Sequence, residues 1–216
     1  MQKRMGYFIW SIALIMIVST VLLYPYFPSR IAMHWNIQGE KDGFASPAVL
    51  FLFPFLLVGL DSTMVYALHS DRKQNKHQVF EKVYDRMRFV FLLMILFAYL
   101  FIVIDSFYPT TFRIQTSILC LMGVVCIIIG NVMPQFQRNK WLGFRTPWTS
   151  KDDIIWRKTH RIAGFIWFFS GIVLCAASFL KPNSAICIMV VLISIMILVP
   201  IGYSYQLYRK RKEFFK

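Results

Sequence analysis

Six apolar runs constrain this chain more than any other feature. They occupy residues 7–27, 47–67, 89–108, 114–132, 162–180 and 185–203. A run of about 18 residues or more crosses the roughly 30 Å hydrocarbon core of a bilayer as a helix. Lipid offers no partner to backbone N–H and C=O groups, so the segment must satisfy them internally. With 57% hydrophobic and only 16% charged residues among 216, and a mean hydropathy of +0.55, a water-soluble domain is excluded by composition. The expected fold is all-α, an integral membrane bundle of six transmembrane helices. The first run follows Lys3 and Arg4 as a signal peptide would. It is long, however, and leads into Tyr24-Pro-Tyr-Phe-Pro28 without a small-residue cleavage site, so it reads as an uncleaved first span.

A formal charge of +14 would suit a nucleic-acid binder, yet the cations follow the loops. The N-terminus, segment 68–88, segment 133–161 and the tail after Tyr203 carry 2, 6, 7 and 5 Lys or Arg, which is 20 of the 24; the other three connections carry 2, 1 and 1. That alternation is the positive-inside pattern and predicts that both termini, the 68–88 loop and the 133–161 loop are cytoplasmic. Anionic inner-leaflet lipid attracts each juxtamembrane cation by about 1 kcal/mol, so membrane lipid is an expected partner and direct nucleic-acid binding is not. Cys120, Cys126, Cys175 and Cys187 all fall inside the runs, with no CxxC pair. They read as apolar packing residues rather than as a disulfide framework or zinc knuckle.

The runs divide the chain into a two-span unit over 1–68 with an outer loop, a cytoplasmic amphipathic stalk over 69–88, and a four-span unit over 89–216. Short links at 109–113 and 181–184 make spans three and four, and five and six, antiparallel neighbours. In the stalk, Val79, Phe80, Val83, Tyr84 and Met87 recur at helical spacing, predicting that the third span extends as a helix toward the cytoplasm. Thr149 and Ser150 are each followed three residues later by an acid, Asp152 and Asp153, a capping-box pattern that predicts a helix start there, with Pro147 setting it up. From that start, Trp156, His160, Gly164, Trp167 and Gly171 share one face, and the two glycines would let another helix approach closely.

Two loops hold the residues able to carry chemistry. The first, PSRIAMHWNIQGEKDGFASP, packs His34, Trp35, Asn36, Gly39, Glu40 and Asp42 into nine residues. A metal reading would use His34, Glu40 and Asp42, but zinc needs three or four convergent donors and no further outer His or Cys exists, so no metal or other cofactor is expected. The alternative is an ordered turn on the membrane surface or a site for an extracellular ligand. The second loop, NKWLGFRTPWTSKDDIIWRKTHR, alternates Trp141, Phe144 and Trp148 with Lys140 and Arg145, as an interfacial segment needs: aromatic rings settle at headgroup level and cations reach phosphate. Arg145 is placed to cap the carbonyls at the end of the fourth span near Asn131. Hydrolysis would need a nucleophile with a positioned base, and the loop shows no such spacing, so an enzyme is not expected.

The run Pro28, Ile31, His34-Trp35-Asn36, Gly39, Asp42-Gly43 resembles the P-x-x-I-x-x-H-W-N-x-x-G-x-x-D-G signature of SdpI-type bacterial membrane proteins. The second half resembles the same family's other signature, in Gly130-Asn131, Met133-Pro134, Asn139, Gly143, Arg145-Thr146-Pro147-Trp148-Thr149, Trp156, Thr159-His160-Arg161 and Gly164. Phe144, Ser150 and Asp153 are mild departures. The resemblance implies a six-span protein of the bacterial cytoplasmic membrane that confers immunity to a secreted toxic peptide, and in some relatives relays a signal by retaining a cytoplasmic repressor. On this reading His34, Trp35, Asn36, Gly39 and Asp42 would meet the peptide outside. Asn131, Arg145, Thr146, Pro147, Trp148, Trp156, His160 and Arg161 would serve binding inside, to a partner protein or a lipid headgroup.

Asp61 is the charge the resemblance leaves unexplained. A carboxylate within a span costs about 2.5 to 3.5 kcal/mol and faces a partner or water inside the bundle. Arg145, His160 and Arg161 are the cations expected within reach. The rival reading is a small proton- or ion-coupled transporter using Asp61, which would call for more polar residues in the other spans than Asp105 and Asn131 provide.

Overall fold

The computed structural model describes residues 2–36, 38–72, 79–109 and 113–214. Segment 73–78 and most of the 109–113 link, both used above for topology, lie outside the described residues, as do the side chains of Val79 and Phe80. Among the described residues there are six α-helices: α1 (Gln2–Leu23), α2 (Leu52–Arg72), α3 (Val79–Phe107), α4 (Ile114–Val132), α5 (Asp153–Ala177) and α6 (Pro182–Phe214). Each is long and apolar enough to cross a membrane. Trp10, Leu14, Phe55, Phe169 and Leu198 are each more than half exposed. Such side chains on a protein surface are stable against lipid and not against water.

Residues 1–66 with 84–118, and residues 67–83 with 119–216, form two compact units. In the first, Ile9, Ala13 and Met16 of α1, Leu57 of α2 and Leu92, Ile95, Tyr99 and Ile102 of α3 make one core. Polar groups inside it are paired: the Tyr99 hydroxyl lies 2.7 Å from Ser19 Oγ and 2.9 Å from Thr20 Oγ1. The α3 helix begins well before the apolar run, as the stalk spacing predicts, and Val83, Tyr84 and Met87 are buried.

Between α1 and α2 the chain forms a two-stranded antiparallel hairpin, β1 (Ile31–Trp35) with β2 (Lys41–Ala45), which the all-α expectation lacked. Ile31 is buried in the core and Trp35 meets Phe101 edge-on at 5.5 Å, so alternate β1 side chains hold the hairpin to α3. Lys41 Nζ lies 2.7 Å from Asp105 Oδ2. Asp105 sits near the end of α3, where the helix dipole disfavours a carboxylate, and the ammonium offsets that cost.

The second unit is built on a close helix crossing. A Cβ on Gly164 would stand 2.7 Å from the Gly130 carbonyl oxygen, and one on Gly123 would stand 2.7 Å from that of Gly171. The glycines expected to admit a neighbour therefore admit α4, which answers with glycines of its own. In α6, Pro200 has no N–H to give the carbonyl four residues earlier, at Met196. The Trp167 indole N–H donates to that oxygen at 3.3 Å, so the gap in the ladder is filled from α5.

The α5 start differs from the capping-box expectation. Asp152 is the N-cap, its Oδ1 accepting from Ile154 N at 2.7 Å and Ile155 N at 3.1 Å, and the helix begins at Asp153. Thr149 instead donates its hydroxyl to the Phe144 carbonyl at 2.8 Å and accepts from Thr146 N at 2.8 Å, so it closes the preceding loop.

Candidate functional site

The hairpin turn is organised by one side chain. Asn36 Oδ1 accepts from Gln38 N at 3.0 Å and Glu40 N at 2.9 Å, while its amide donates to Glu40 Oε2 at 2.9 Å. Gly39 holds φ +85° beside the Gln115 side chain, a conformation side chains rarely adopt. Gly43 pairs with His34 across the ladder, and a Cβ there would fall 2.8 Å from His34 Cβ. Asn36, Gly39 and Gly43 thus build the hairpin, and Trp35 seats it.

His34 and Asp42 are what the hairpin presents. His34 Nδ1 lies 2.6 Å from Asp42 Oδ1, with the two side chains 71% and 44% exposed. The carboxylate accepts, so Nδ1 carries the proton and the ring is oriented with Nε2 unengaged among the described residues. An imidazole fixed in this way can hydrogen-bond a ligand. Arg30 lies over the Phe44 ring at 5.9 Å on the same hairpin. Among the described residues no three His, Cys, Asp or Glu side chains group as a metal site.

The 136–160 region is arranged in the opposite sense. Trp156 and His160 are fully buried and stacked, ring centroids 4.2 Å apart. The Trp156 indole N–H donates to the Phe136 carbonyl at 2.8 Å. Phe144 N donates to His160 Nε2 at 2.9 Å, which leaves Nδ1 as the protonated nitrogen, donating to the Trp156 carbonyl at 2.8 Å. His160 therefore spans α5 and the loop as a neutral ring with both nitrogens used. Gly143, at φ +100°, leaves room for it: a Cβ there would collide with His160 Nε2.

Asn139 folds the loop's first turn, its Oδ1 accepting from Trp141 N at 2.7 Å and Leu142 N at 2.6 Å. Asp71 Oδ1 accepts from Lys140 N at 3.3 Å. Trp148 leaves the loop for α6, donating to Ser204 Oγ at 2.8 Å and stacking on Tyr208. Of the residues expected here, Trp156, His160 and Thr146 are internal fasteners, Trp148 is a half-buried staple, and Arg145, Pro147, Arg161 and Asn131 are exposed. Arg145 donates to the Lys140 carbonyl within the loop, rather than capping α4 near Asn131.

Asp61 has a different partner from those expected. Arg88 donates from Nε to Asp61 Oδ1 at 2.6 Å and from its Nη2 to Oδ2 at 3.2 Å, and from Nη1 to Asp85 Oδ1 at 3.0 Å. Arg88 is 3% and Asp61 7% exposed. One forked guanidinium serves two carboxylates, so the intramembrane acid is held by α3 and not by Arg145, His160 or Arg161. In the sequence Arg88 looked like one more loop cation. Its place one helical turn after Asp85 was the available signal.

Residues 135–204 match the SdpI/YfhL protein family, and residues 11–58 match a domain of unknown function, DUF1648. The chain is 25% identical over 193 residues to the immunity protein SdpI of Bacillus subtilis strain 168, covering 89% of this chain and 90% of that protein. No solved structure matches. Six membrane-length helices and these likenesses describe a multi-pass protein of the bacterial cytoplasmic membrane. The chain is thus similar to the SdpI/YfhL family over residues 135–204 and to an immunity protein over most of its length.

Proposed function

We propose that this protein confers immunity on its host cell against a secreted toxic peptide, acting in the membrane as a binding and sensing protein without a catalytic step. The observation that carries this reading is the extent of the likeness to an immunity protein: at 89% of one chain and 90% of the other, it embraces both units and not one shared module. The relative it resembles is named for immunity and not for a catalytic activity. The positive-inside alternation supports an orientation with both termini and the 136–152 loop in the cytoplasm and the hairpin outside. In that orientation the oriented His34 imidazole, with Asp42, Trp35 and Asn36 behind it, is the surface that meets the peptide, or the lipid the peptide attacks. The loop holding Arg145, Trp148 and Arg161 faces the compartment where a repressor would be retained. Transport through Asp61 has less support, because both of its oxygens are engaged by Arg88.

Toxin-sensitive cells producing this protein, challenged with the peptide and scored by membrane potential, test the reading. Cells with the protein are expected to hold their potential while cells with an empty vector lose it. Equal loss in both, with the protein verified in the membrane, would refute immunity. Substrate or proton flux in proteoliposomes, abolished by Asp61→Asn, would establish the transporter instead.

A further inference from the structure

A cleft of about 520 Å³ opens between the 136–152 loop and α6, and the immunity reading, which uses Trp148 only as part of the inner face, assigns the cleft no occupant. Pro147, Trp148, Ile155 and Tyr208 form its apolar walls, and Lys151, Asp152 and Arg211 its polar side. The walls are fixed: Trp148 is hydrogen-bonded to Ser204 and stacked on Tyr208, and Ile155 is buried. Asp152 does not make the cleft acidic. Its Oδ1 accepts two α5 backbone N–H groups, and its Oδ2 lies 3.0 Å from Arg211 Nε. One carboxylate is thus balanced by Arg211 and by the positive end of α5, and Lys151 adds a second, exposed cation.

Position narrows the occupant. The apolar run over 162–180 begins seven residues after Ile155 and that over 185–203 ends five residues before Tyr208, so at ~1.5 Å per residue the cleft lies roughly 10 Å beyond the hydrocarbon edge. Phosphate headgroups occupy that level, and indole and phenol rings settle there. A ligand suited to the cleft carries an anionic phosphate ester joined to an apolar body. We propose that the cleft is a site for the headgroup of an anionic phospholipid, with Lys151 and Arg211 meeting the phosphate and Trp148 and Tyr208 lining the glycerol. This holds whether or not the immunity reading does, and it names a defined site where the charge pattern alone implies a diffuse attraction.

Native mass spectrometry of the full chain released from nanodiscs of phosphatidylglycerol and phosphatidylcholine reads retained lipid directly. Wild type is expected to retain phosphatidylglycerol in preference, and Lys151→Gln/Arg211→Gln to weaken that retention about thirtyfold, a factor of about five for each cation. Lys158→Gln/Lys210→Gln removes the same charge from exposed positions that do not line the cleft and is expected to change little. Lys151→Arg/Arg211→Lys is expected to restore retention. Equal effects of the two neutralised pairs, or none from either, would overturn the site and leave the cleft to a protein segment. Displacement of the lipid by millimolar inorganic phosphate would assign it to a soluble phosphate compound and overturn the lipid occupant. Should the Lys151/Arg211 variant fail to fold, a photoreactive phosphatidylglycerol on wild type decides: adducts within 147–155 or 205–211 support the site, and adducts confined elsewhere refute it.

Discussion

The hairpin of β1 and β2, and the loop before α5 together with the first two turns of that helix, both carry dense, recognisable motifs containing His, Trp and Asn, yet they use them in opposite ways. In the hairpin, Asn36, Gly39 and Gly43 make the turn and ladder, Ile31 and Trp35 face the core, and the His34–Asp42 pair stays exposed. Behind the loop the histidine is committed inward: His160 of α5 is buried, stacked on Trp156 and bonded at both ring nitrogens. A histidine in a signature can be a presented group or an internal fastener, and its hydrogen-bond partners decide which. The hairpin is a display and the loop is a brace.

Trp156→Ala should do the most damage, about 3 to 5 kcal/mol, because it removes a buried ring and orphans the Phe136 carbonyl. Thermal unfolding of the detergent-solubilised protein measures it. A loss below that of His34→Ala in the same assay would break the comparison. Gly143→Ala comes next, at about 1 to 3 kcal/mol, since the positive φ and the His160 ring leave a methyl no place; Gly39→Ala should cost less, because the Gln115 side chain beside it can move aside. Asn36→Ala strips an acceptor from two turn N–H groups and should cost about 1 to 2 kcal/mol, accompanied by faster amide exchange at Gln38 and Glu40. His34→Ala and Asp42→Asn are expected to shift unfolding least, within about 0.5 kcal/mol, as exposed substitutions do. Those same two variants should lose protection against the peptide.

The six spans were legible because run length alone forces them, and a close helix approach on α5 because Gly164 and Gly171 recur at helical steps, though only packing shows that the neighbour is α4. The α5 start was misplaced: Thr149 and Asp152 satisfy a capping-box spacing, but Thr149 finds better partners in Phe144 and Thr146, and Asp152 caps alone. The hairpin escaped because five-residue strands give too short an alternation to register, although the Asn36 to Gly39 turn was in plain view. Arg88 was counted with the loop cations, and only tertiary packing brings it to Asp61, 27 residues away. Likewise Pro200 announces a free carbonyl in α6, but no local pattern says that Trp167 will fill it.

Membrane potential in peptide-challenged cells that produce His34→Ala at the wild-type membrane level tests the presented histidine most directly. The potential should collapse as it does in cells lacking the protein, while the purified variant unfolds at the wild-type temperature. A potential held at the wild-type value would contradict the assignment of the hairpin as the contact surface.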